Sequence, residues 1–265
     1  MNDKNQSDIN SILQREYSLE IGGVIGRGWE ILQGNLVGFL LFTLVISLIA
    51  VGVVIVAIVF FITIIGIPIG ILILILMSPL VLSPLAAGHI IVAFKVIKRQ
   101  PVEFGDFFNG FKNNYFLPIF LSALVIGLFT TICGVPGQVL SYVYRFSALA
   151  SQTSEAPAGL LIASLSLSFI GAIAGAIITL FYSLTVPFIV ARKMTFWPAM
   201  EASRKVIAKQ WPLWILLGIL LSLINVVGLL FCGLGLLFTS PLTACVIAAA
   251  YERIVGLPNS NDSFA

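Results

Sequence analysis

The longest uncharged run, residues 36–94, constrains the fold of this chain more than any other feature. It contains no Asp, Glu, Lys or Arg, and His89 is its one titratable side chain. A helix rises about 1.5 Å per residue, and roughly 20 apolar residues cross the hydrocarbon core of a bilayer. The run therefore predicts two membrane helices, at 36–63 and 67–94. Two glycines and a proline at Gly66-Ile67-Pro68-Ile69-Gly70 predict the break between them, because proline has no amide proton and glycine weakens a helix.

Composition agrees with burial in lipid. Hydrophobic residues make up 59% of the chain and charged residues 9%, whereas about 25% of the residues of soluble domains are charged. A water-soluble fold of this composition would lack a polar surface. The chain is therefore predicted to be an integral membrane protein.

Three segments with an apolar face at helical spacing each precede a pair of apolar runs, and they predict helices that lie in the membrane interface. The first covers residues 18–34 and carries Trp29, the third covers 195–210, and the second has four phenylalanines on one face: Phe104, Phe107, Phe108 and Phe111. The apolar runs predict six spans, at 36–63, 67–94, 117–133, 160–190, 212–230 and 234–251. The connection at 134–159 is predicted to leave the membrane, with part of it on the membrane surface.

This repeated order predicts one all-α membrane domain, residues 18–256, built as three helical hairpins with repeats at about 18–94, 95–194 and 195–256. Ser83-Pro84 and Ser240-Pro241 stand at the same offset before an Ala-aromatic pair, and Val186-Pro187 takes the corresponding place in the middle repeat. Apolar composition alone is the alternative explanation. The polar ends, 1–17 and 257–265, are predicted to be cytoplasmic tails, the first of them disordered.

The basic residues are distributed asymmetrically about the six predicted spans. Thirteen of the fourteen Lys and Arg residues fall in segments on one side, and Arg145 is the exception. Cytoplasmic segments of membrane proteins carry an excess of basic residues. Both termini are therefore predicted to be cytoplasmic.

Polar and helix-breaking residues inside the predicted spans are candidates for a functional site. His89 is an intramembrane titratable group and a candidate for proton or ligand binding, although its place six residues before Lys95 also lets it bond to a carbonyl near the interface. Prolines free backbone carbonyls in the substrate-binding helices of transporters, or simply kink a helix for packing. Four of them lie inside predicted spans: Pro79, Pro84, Pro187 and Pro241.

The third interfacial segment is the candidate contact with lipid headgroups. Its basic residues Arg204, Lys205 and Lys209 lie between Trp197 and Trp211. Tryptophan favours the headgroup level, and each basic residue near an anionic surface contributes about 1 kcal/mol. The expected partner is the bilayer, with anionic lipid in particular, while a homo-oligomer or a membrane-protein partner stays open. The basic residues are too scattered to indicate nucleic acid.

No catalytic or metal-binding pattern is present in the sequence, and no cofactor is predicted. Cys133, Cys232 and Cys245 form no C-x-x-C or Cys/His pattern. Cys133 and Cys232 follow matching spans, so they either pair on an oxidising face or fill apolar space. Glu103 and Asp106 are best explained as a solvated helix face. A stripe of small side chains allows either internal helix packing or a dimer contact: Gly171, Gly175, Thr179 and Ser183.

Three short motifs resemble those of a loose group of uncharacterised bacterial multi-pass proteins, similar to the membrane domain fused to some glycerophosphodiester phosphodiesterases. They are Gly28-Trp29-Glu30-Ile31-Leu32, Ala199-Met200-Glu201-Ala202-Ser203-Arg204 and Ser240-Pro241-Leu242. The resemblance implies an accessory or scaffold role in the bacterial cytoplasmic (inner) membrane. The phosphodiesterase domain has no counterpart here, because the polar segments are too short to hold one.

These observations together favour a structural or lipid-interacting accessory protein without enzymatic activity. The alternative is a transporter or permease for small molecules or lipids that uses kinked helices.

Overall fold

The computed structural model describes residues 19–61, 73, 76–150, 158–231 and 233–258. These ranges are helical and contain no strand. The α-helices are α1 (Ile21–Gly34), α2 (Leu36–Phe61), α3 (Ser83–Ile97), α4 (Asn113–Ala150), α5 (Ala158–Phe181), α6 (Thr185–Arg192), α7 (Phe196–Lys209), α8 (Trp211–Leu230) and α9 (Leu236–Val255). A π-helical turn, Ser78–Leu82, leads into α3, and a 3₁₀ helix, Phe104–Phe111, precedes α4.

Five helical stretches are long and apolar enough to cross a membrane: Leu36–Phe60, Pro79–Ile97, Asn113–Ser147, Ala158–Arg192 and Trp211–Leu230. The predicted all-α, multi-pass membrane class is therefore confirmed. The sixth predicted span coincides with α9, which has 20 residues but ends in the polar pair Glu252-Arg253. The predicted break at Gly66–Gly70, the tail 1–17, Cys232 and residues 259–265 lie outside the described residues.

The helix of the third predicted span does not end at Cys133. Helix α4 continues from Asn113 to Ala150, through Pro136, so most of the predicted connection is helical. Packing explains the difference, because Gly137 lies against Ser168 of α5 and Gly171 lies against the backbone of Cys133. The glycines that predicted a turn instead let two helices approach closely.

The chain forms two compact units. The second unit, Leu124–Tyr182, holds most of α4 and all of α5, packed antiparallel through the glycine contacts just described and a further contact between Gly175 and Thr130. Two residues of the predicted small-residue stripe, Gly171 and Gly175, are therefore used inside this hairpin. The first unit comprises the described residues up to Ala123 and from Ser183 onward.

Three aromatic side chains from different helices meet in the core of the first unit. The ring of Tyr251 on α9 lies 5.5 Å from that of Phe94 on α3 and 5.0 Å from that of Phe188 on α6. All three side chains are fully buried. Edge-to-face and tilted aromatic pairs at these separations contribute about 0.5–1.5 kcal/mol beyond burial of their area. The seam between α3, α6 and α9 is thus filled by aromatic rings.

A residue with positive φ follows the end of each of these three helices. Arg99 (φ 54°), Lys193 (φ 51°) and Gly256 (φ 77°) have positive φ, and they follow Phe94, Phe188 and Tyr251 respectively by five residues. A left-handed residue commonly terminates a helix, and glycine is the usual choice. By this spacing Phe188 corresponds to Phe94 and Tyr251. Pro187 lies one residue before Phe188, whereas Pro84 and Pro241 each lie ten residues before the corresponding aromatic residue.

Each amphipathic segment packs on one of the three helices that carry the buried aromatic rings, or on the turn before it. Gly28 of α1 lies against the backbone of Val246 on α9. In the 3₁₀ helix, the carbonyl oxygen of Phe107 lies against Gly88 of α3. Helix α7 is joined to the turn before α6 by a hydrogen bond in which the Leu184 N–H donates to Ser203 Oγ at 3.1 Å. Small side chains at these crossings permit the close approach.

Candidate membrane-interface site

Charged residues in the described part of the first unit lie on α1, α7, the 3₁₀ helix, the C-terminal ends of α3, α6 and α9, and the segments beside them. We call this set the basic cap. It has eleven basic residues, Arg27, Lys95, Lys98, Arg99, Lys112, Arg192, Lys193, Arg204, Lys205, Lys209 and Arg253, and six acidic ones, Glu20, Glu30, Glu103, Asp106, Glu201 and Glu252. Arg145 is the one charged residue in the described part of the second unit. The cap therefore has a net positive charge.

Helix α7 carries the predicted lipid-contact residues on its exposed surface. Trp197 is 58% exposed and Trp211, just after the helix, is 53% exposed. The side chain of Arg204 donates to Glu201 at 3.0 Å, and Lys205 Nζ lies 3.2 Å from the same carboxylate. The hydrogen bond from Lys205 and, to a smaller extent, that from Arg204 lower the pKa of Glu201. One carboxylate thus offsets part of the charge of two basic residues, beside two exposed indoles.

The buried face of α7 holds Met200 and Ile207, while Trp197 and Trp211 are exposed. The buried side of the helix also contains small residues, Ala199, Ala202 and Ser203. The indoles are therefore available to the membrane interface, where tryptophan is enriched.

Ion pairs join α1 to the end of α9. Arg253 donates to Glu20 at 2.6 Å, and Arg27 donates to Glu252 at 3.3 Å and to Glu30 at 2.9 Å. The hydrogen bonds from Arg27 to Glu30 and to Glu252 raise the pKa of Arg27. An open groove between the two helices is lined by these groups, but its arginines are already paired with carboxylates.

A more buried ion pair fixes the 3₁₀ helix to α3. Lys95 Nζ donates to Asp106 Oδ1 at 2.6 Å, with the side chains 14% and 13% exposed. Asp106 also accepts hydrogen bonds from the Glu103 N–H at 2.8 Å and from Asn109 Nδ2 at 3.2 Å, while the Glu103 side chain caps the helix in return. Burial raises the pKa of Asp106, but the bonds from Lys95 and the Glu103 backbone outweigh it and lower the pKa. The Glu103/Asp106 pair is therefore a capping box rather than a solvated face.

His89 lies in an aromatic pocket between α2, α3 and the 3₁₀ helix. Its side chain is buried, and its Nε2 lies 3.0 Å from Thr43 Oγ1. The ring stacks on Phe39 with centroids 6.1 Å apart, and the rings of Phe42 and Phe107 lie 5.1 and 6.2 Å from it. Phe107 comes from the segment with four phenylalanines and is the fully buried one of the four. The surroundings of His89 are those of a packed polar group.

The four candidate prolines lie at different kinds of position. Pro79 is buried in the π-helical turn, and Pro84 stands at the start of α3 with its carbonyl oxygen against Gly110 of the 3₁₀ helix. Pro187 is in the first turn of α6, and Pro241 is inside α9. They therefore sit on three helices and do not form one constellation with His89.

Sequence reasoning did not find the left-handed basic residues Arg99 and Lys193. One signal was available, since Arg99 precedes Pro101 by two residues and Gly256 precedes Pro258 by two. In the described part of the chain no three His, Cys, Asp or Glu side chains come together as metal ligands. Comparison with protein-family models, curated proteins and solved structures finds no match to this chain.

Proposed function

We propose that this chain is a six-span protein of the bacterial cytoplasmic membrane, with both termini in the cytoplasm and a structural or lipid-interacting accessory role. In this proposal α9 is the sixth span. Its polar pair Glu252-Arg253 belongs to the basic cap, and the apolar run 234–251 that precedes this pair, at about 18 residues, lies within the range of about 17–25 for a membrane helix. The basic cap faces the cytoplasm, because basic residues are retained on that side.

The observation that carries the proposal is the exposed surface of α7. Two indoles that are more than half exposed flank a helix with three basic residues and one acidic one. Indoles partition to the headgroup layer, and basic residues at that depth are attracted to anionic headgroups. A membrane surface containing anionic lipid satisfies both groups at once.

The packing of the amphipathic segments supports the three-hairpin arrangement. The segment before the second hairpin packs on α3, the segment before the third packs on α6, and α1 packs on α9. The second helix of each of the first two hairpins thus contacts the amphipathic segment that follows it in the chain. The second helix of the third hairpin contacts the first segment, so the contacts form a closed series. Such a series suits a rigid scaffold, because each amphipathic segment in the described part of the chain packs on a helix of this set or on the turn before it.

The aromatic seam favours a scaffold over a transport pathway. A pathway between α3, α6 and α9 would have to pass Phe94, Phe188 and Tyr251, whose rings are in contact. Opening it would expose side chains that are now fully buried, at a cost of about 1.5–3 kcal/mol for each large apolar side chain.

Lipid retention on purification tests the proposal. The full-length protein is extracted in a mild detergent from membranes containing anionic and zwitterionic phospholipid, and the bound lipid is identified by native mass spectrometry. The variant R204Q/K205Q/K209Q is expected to bind anionic lipid at least ten-fold more weakly, since each charge contributes about 1 kcal/mol. Arg145→Gln is the matched control, because it removes a basic residue outside the cap. Equal retention by the triple variant and the wild type would overturn the lipid role.

Orientation is tested separately with a reporter that is active only outside the cytoplasm. Fused after Ala265 it is expected to be silent, and inserted after Ala150 it is expected to be active. The reverse pattern would contradict the proposed topology.

Transport by kinked helices is the second candidate, and the π-helical turn favours it. Such turns are rare and frequently occur at functional sites, and this one contains Pro79 and leads directly to Pro84. The transporter proposal requires solute flux in liposomes that Pro84→Ala abolishes. The accessory proposal expects no flux above that of empty liposomes.

A further inference from the structure

Helix α4 has a stripe of exposed large side chains that no other described residue covers. The stripe, which we call the α4 seam, consists of Leu128, Ile132, Val135, Val139, Tyr142 and Phe146. Successive members are four and three residues apart in alternation. This is the heptad spacing of a helix that packs lengthwise against another helix.

The residues beside the seam follow the same period. Thr131, Gln138 and Arg145 are exposed, and they repeat every seven residues along one flank. The opposite side of α4 is occupied, because Gly137 and Cys133 lie against α5. The helix therefore has one face for α5, a separate apolar face, and a polar border, as in coiled coils with polar flanking positions.

Helix length places the outer half of the seam beyond the bilayer, an argument that rests on the proposed membrane placement. The spanning stretch Asn113–Ser147 has 35 residues, which amounts to roughly 52 Å against about 30 Å of hydrocarbon. A tilt of roughly 55° would be needed to bury it, and membrane helices tilt by 0–40°. Counted along α4 from Asn113, about 20 residues cross the hydrocarbon without tilt and about 26 at a tilt of 40°, so Val139, Tyr142 and Phe146 lie outside it.

Lipid chains therefore do not cover the outer half of the seam. Phe146 is 74% exposed and Tyr142 is 67% exposed, and large apolar side chains in water drive association. The inner half of the seam continues the same stripe into the membrane without a change of spacing. A partner that matches the seam must consequently be a helix running parallel to α4 across the membrane boundary.

We propose that the occupant of the α4 seam is the same seam of a second copy of this chain, in a parallel two-fold dimer. Two copies inserted in one membrane share an orientation, so a two-fold axis along the membrane normal brings identical residues together. The seam contains no charged residue that would require a complementary partner. Its six side chains expose on the order of 700 Å² for each copy, close to the roughly 800 Å² per partner of a stable protein interface.

Cysteine cross-linking in native membranes tests the dimer. In a full-length background with Cys133, Cys232 and Cys245 replaced, single cysteines are introduced by Tyr142→Cys or Phe146→Cys and oxidised with copper phenanthroline. Both are expected to give a covalent homodimer. Leu165→Cys is the matched control, because Leu165 is 62% exposed on α5 at nearly the same level as the outer seam. It is expected to give several-fold less dimer.

The outcomes separate the dimer from the membrane placement. Labelling of Phe146→Cys by a membrane-impermeant maleimide from outside the cell tests the placement alone. Labelling without a covalent dimer at either seam position, or a dimer that forms equally well through Leu165→Cys, would overturn the proposed interface. Protection of the cysteine from the maleimide, with no cross-link, would overturn both the placement and the dimer. A cross-linked product of another mass would show a different partner and would also overturn the proposal.

Discussion

Replacing Gly256 with alanine tests whether the helices of the aromatic seam end as described. Gly256 ends α9 at φ 77° and ψ 151°, a backbone conformation that is essentially restricted to glycine. A Cβ added there would have no atom within 4 Å. The substitution therefore introduces backbone strain without a steric clash. Strain of this kind costs about 1–3 kcal/mol, and the lower entropy of unfolded alanine offsets about 0.4–1 kcal/mol of it.

Gly26→Ala is the matched control for this substitution. Gly26 lies inside α1, is exposed, and also has no atom within 4 Å of an added Cβ. Alanine there is expected to raise the free energy of unfolding by about 0.5–1 kcal/mol, because glycine is the poorer helix former. The two variants thus make the same chemical change and are expected to shift stability in opposite directions.

Unfolding by SDS from mixed micelles, followed by tryptophan fluorescence, measures both variants. Gly256→Ala is expected to unfold at a lower SDS fraction than the wild type, and Gly26→Ala at a higher one. If Gly256→Ala has wild-type stability while the control gains stability, the positive φ of Gly256 at the end of α9 is absent.

Three further predictions concern the contacts between helices. Gly88→Ala places a methyl group against the carbonyl oxygen of Phe107, so it is expected to lower stability in the same SDS assay by about 1–3 kcal/mol. Unchanged stability would contradict the close contact between α3 and the 3₁₀ helix. Ser203→Ala leaves the buried N–H of Leu184 without its acceptor and is expected to cost about 1–3 kcal/mol, whereas Ser203→Thr should retain most of the stability. The pKa of Asp106 is lowered in the folded protein, so its contribution to stability is present above the pKa of the unfolded carboxyl, about 4, and is lost as the pH falls through the lower folded pKa. Asp106→Asn is therefore expected to be less stable than the wild type at pH 7 and to lose less stability between pH 5 and 3. Parallel pH profiles of the two proteins would contradict this.

The membrane class could be predicted from the sequence because burial in lipid requires long uncharged runs. The length of the third predicted helix could not, because glycine has two uses that a single sequence does not distinguish. In Gly134-Val135-Pro136-Gly137 the glycines and proline are typical of a turn. Gly137 is instead needed where Ser168 of α5 crosses α4. Whether a glycine ends a helix or accommodates a neighbour depends on the tertiary partner, which local spacing does not specify.

The candidate site was predictable in part for a similar reason. Amphipathic spacing identified α7 and its basic residues, since that face is defined within one helix. The two tryptophans predicted to contact headgroups, Trp197 and Trp211, are exposed at the ends of that helix. The Lys95–Asp106 pair joins residues from two elements, and charge alone does not give their distance. Arg99 and Lys193 adopt a conformation that basic residues seldom adopt, so composition gave no signal for it.

Helix α1 packs on α9, although the two helices stand at opposite ends of the chain. Arg253 donates to Glu20 across 233 residues of sequence, and the Leu19 N–H donates to Gln210 Oε1 at 3.0 Å. The buried face of α1, including Gly28, packs on α9. During synthesis α1 is made well before this partner exists, so its apolar face needs another environment in the meantime. An amphipathic helix can lie on its own in a membrane interface, so we expect α1 to occupy the interface until α9 is made and to pack on α9 afterwards.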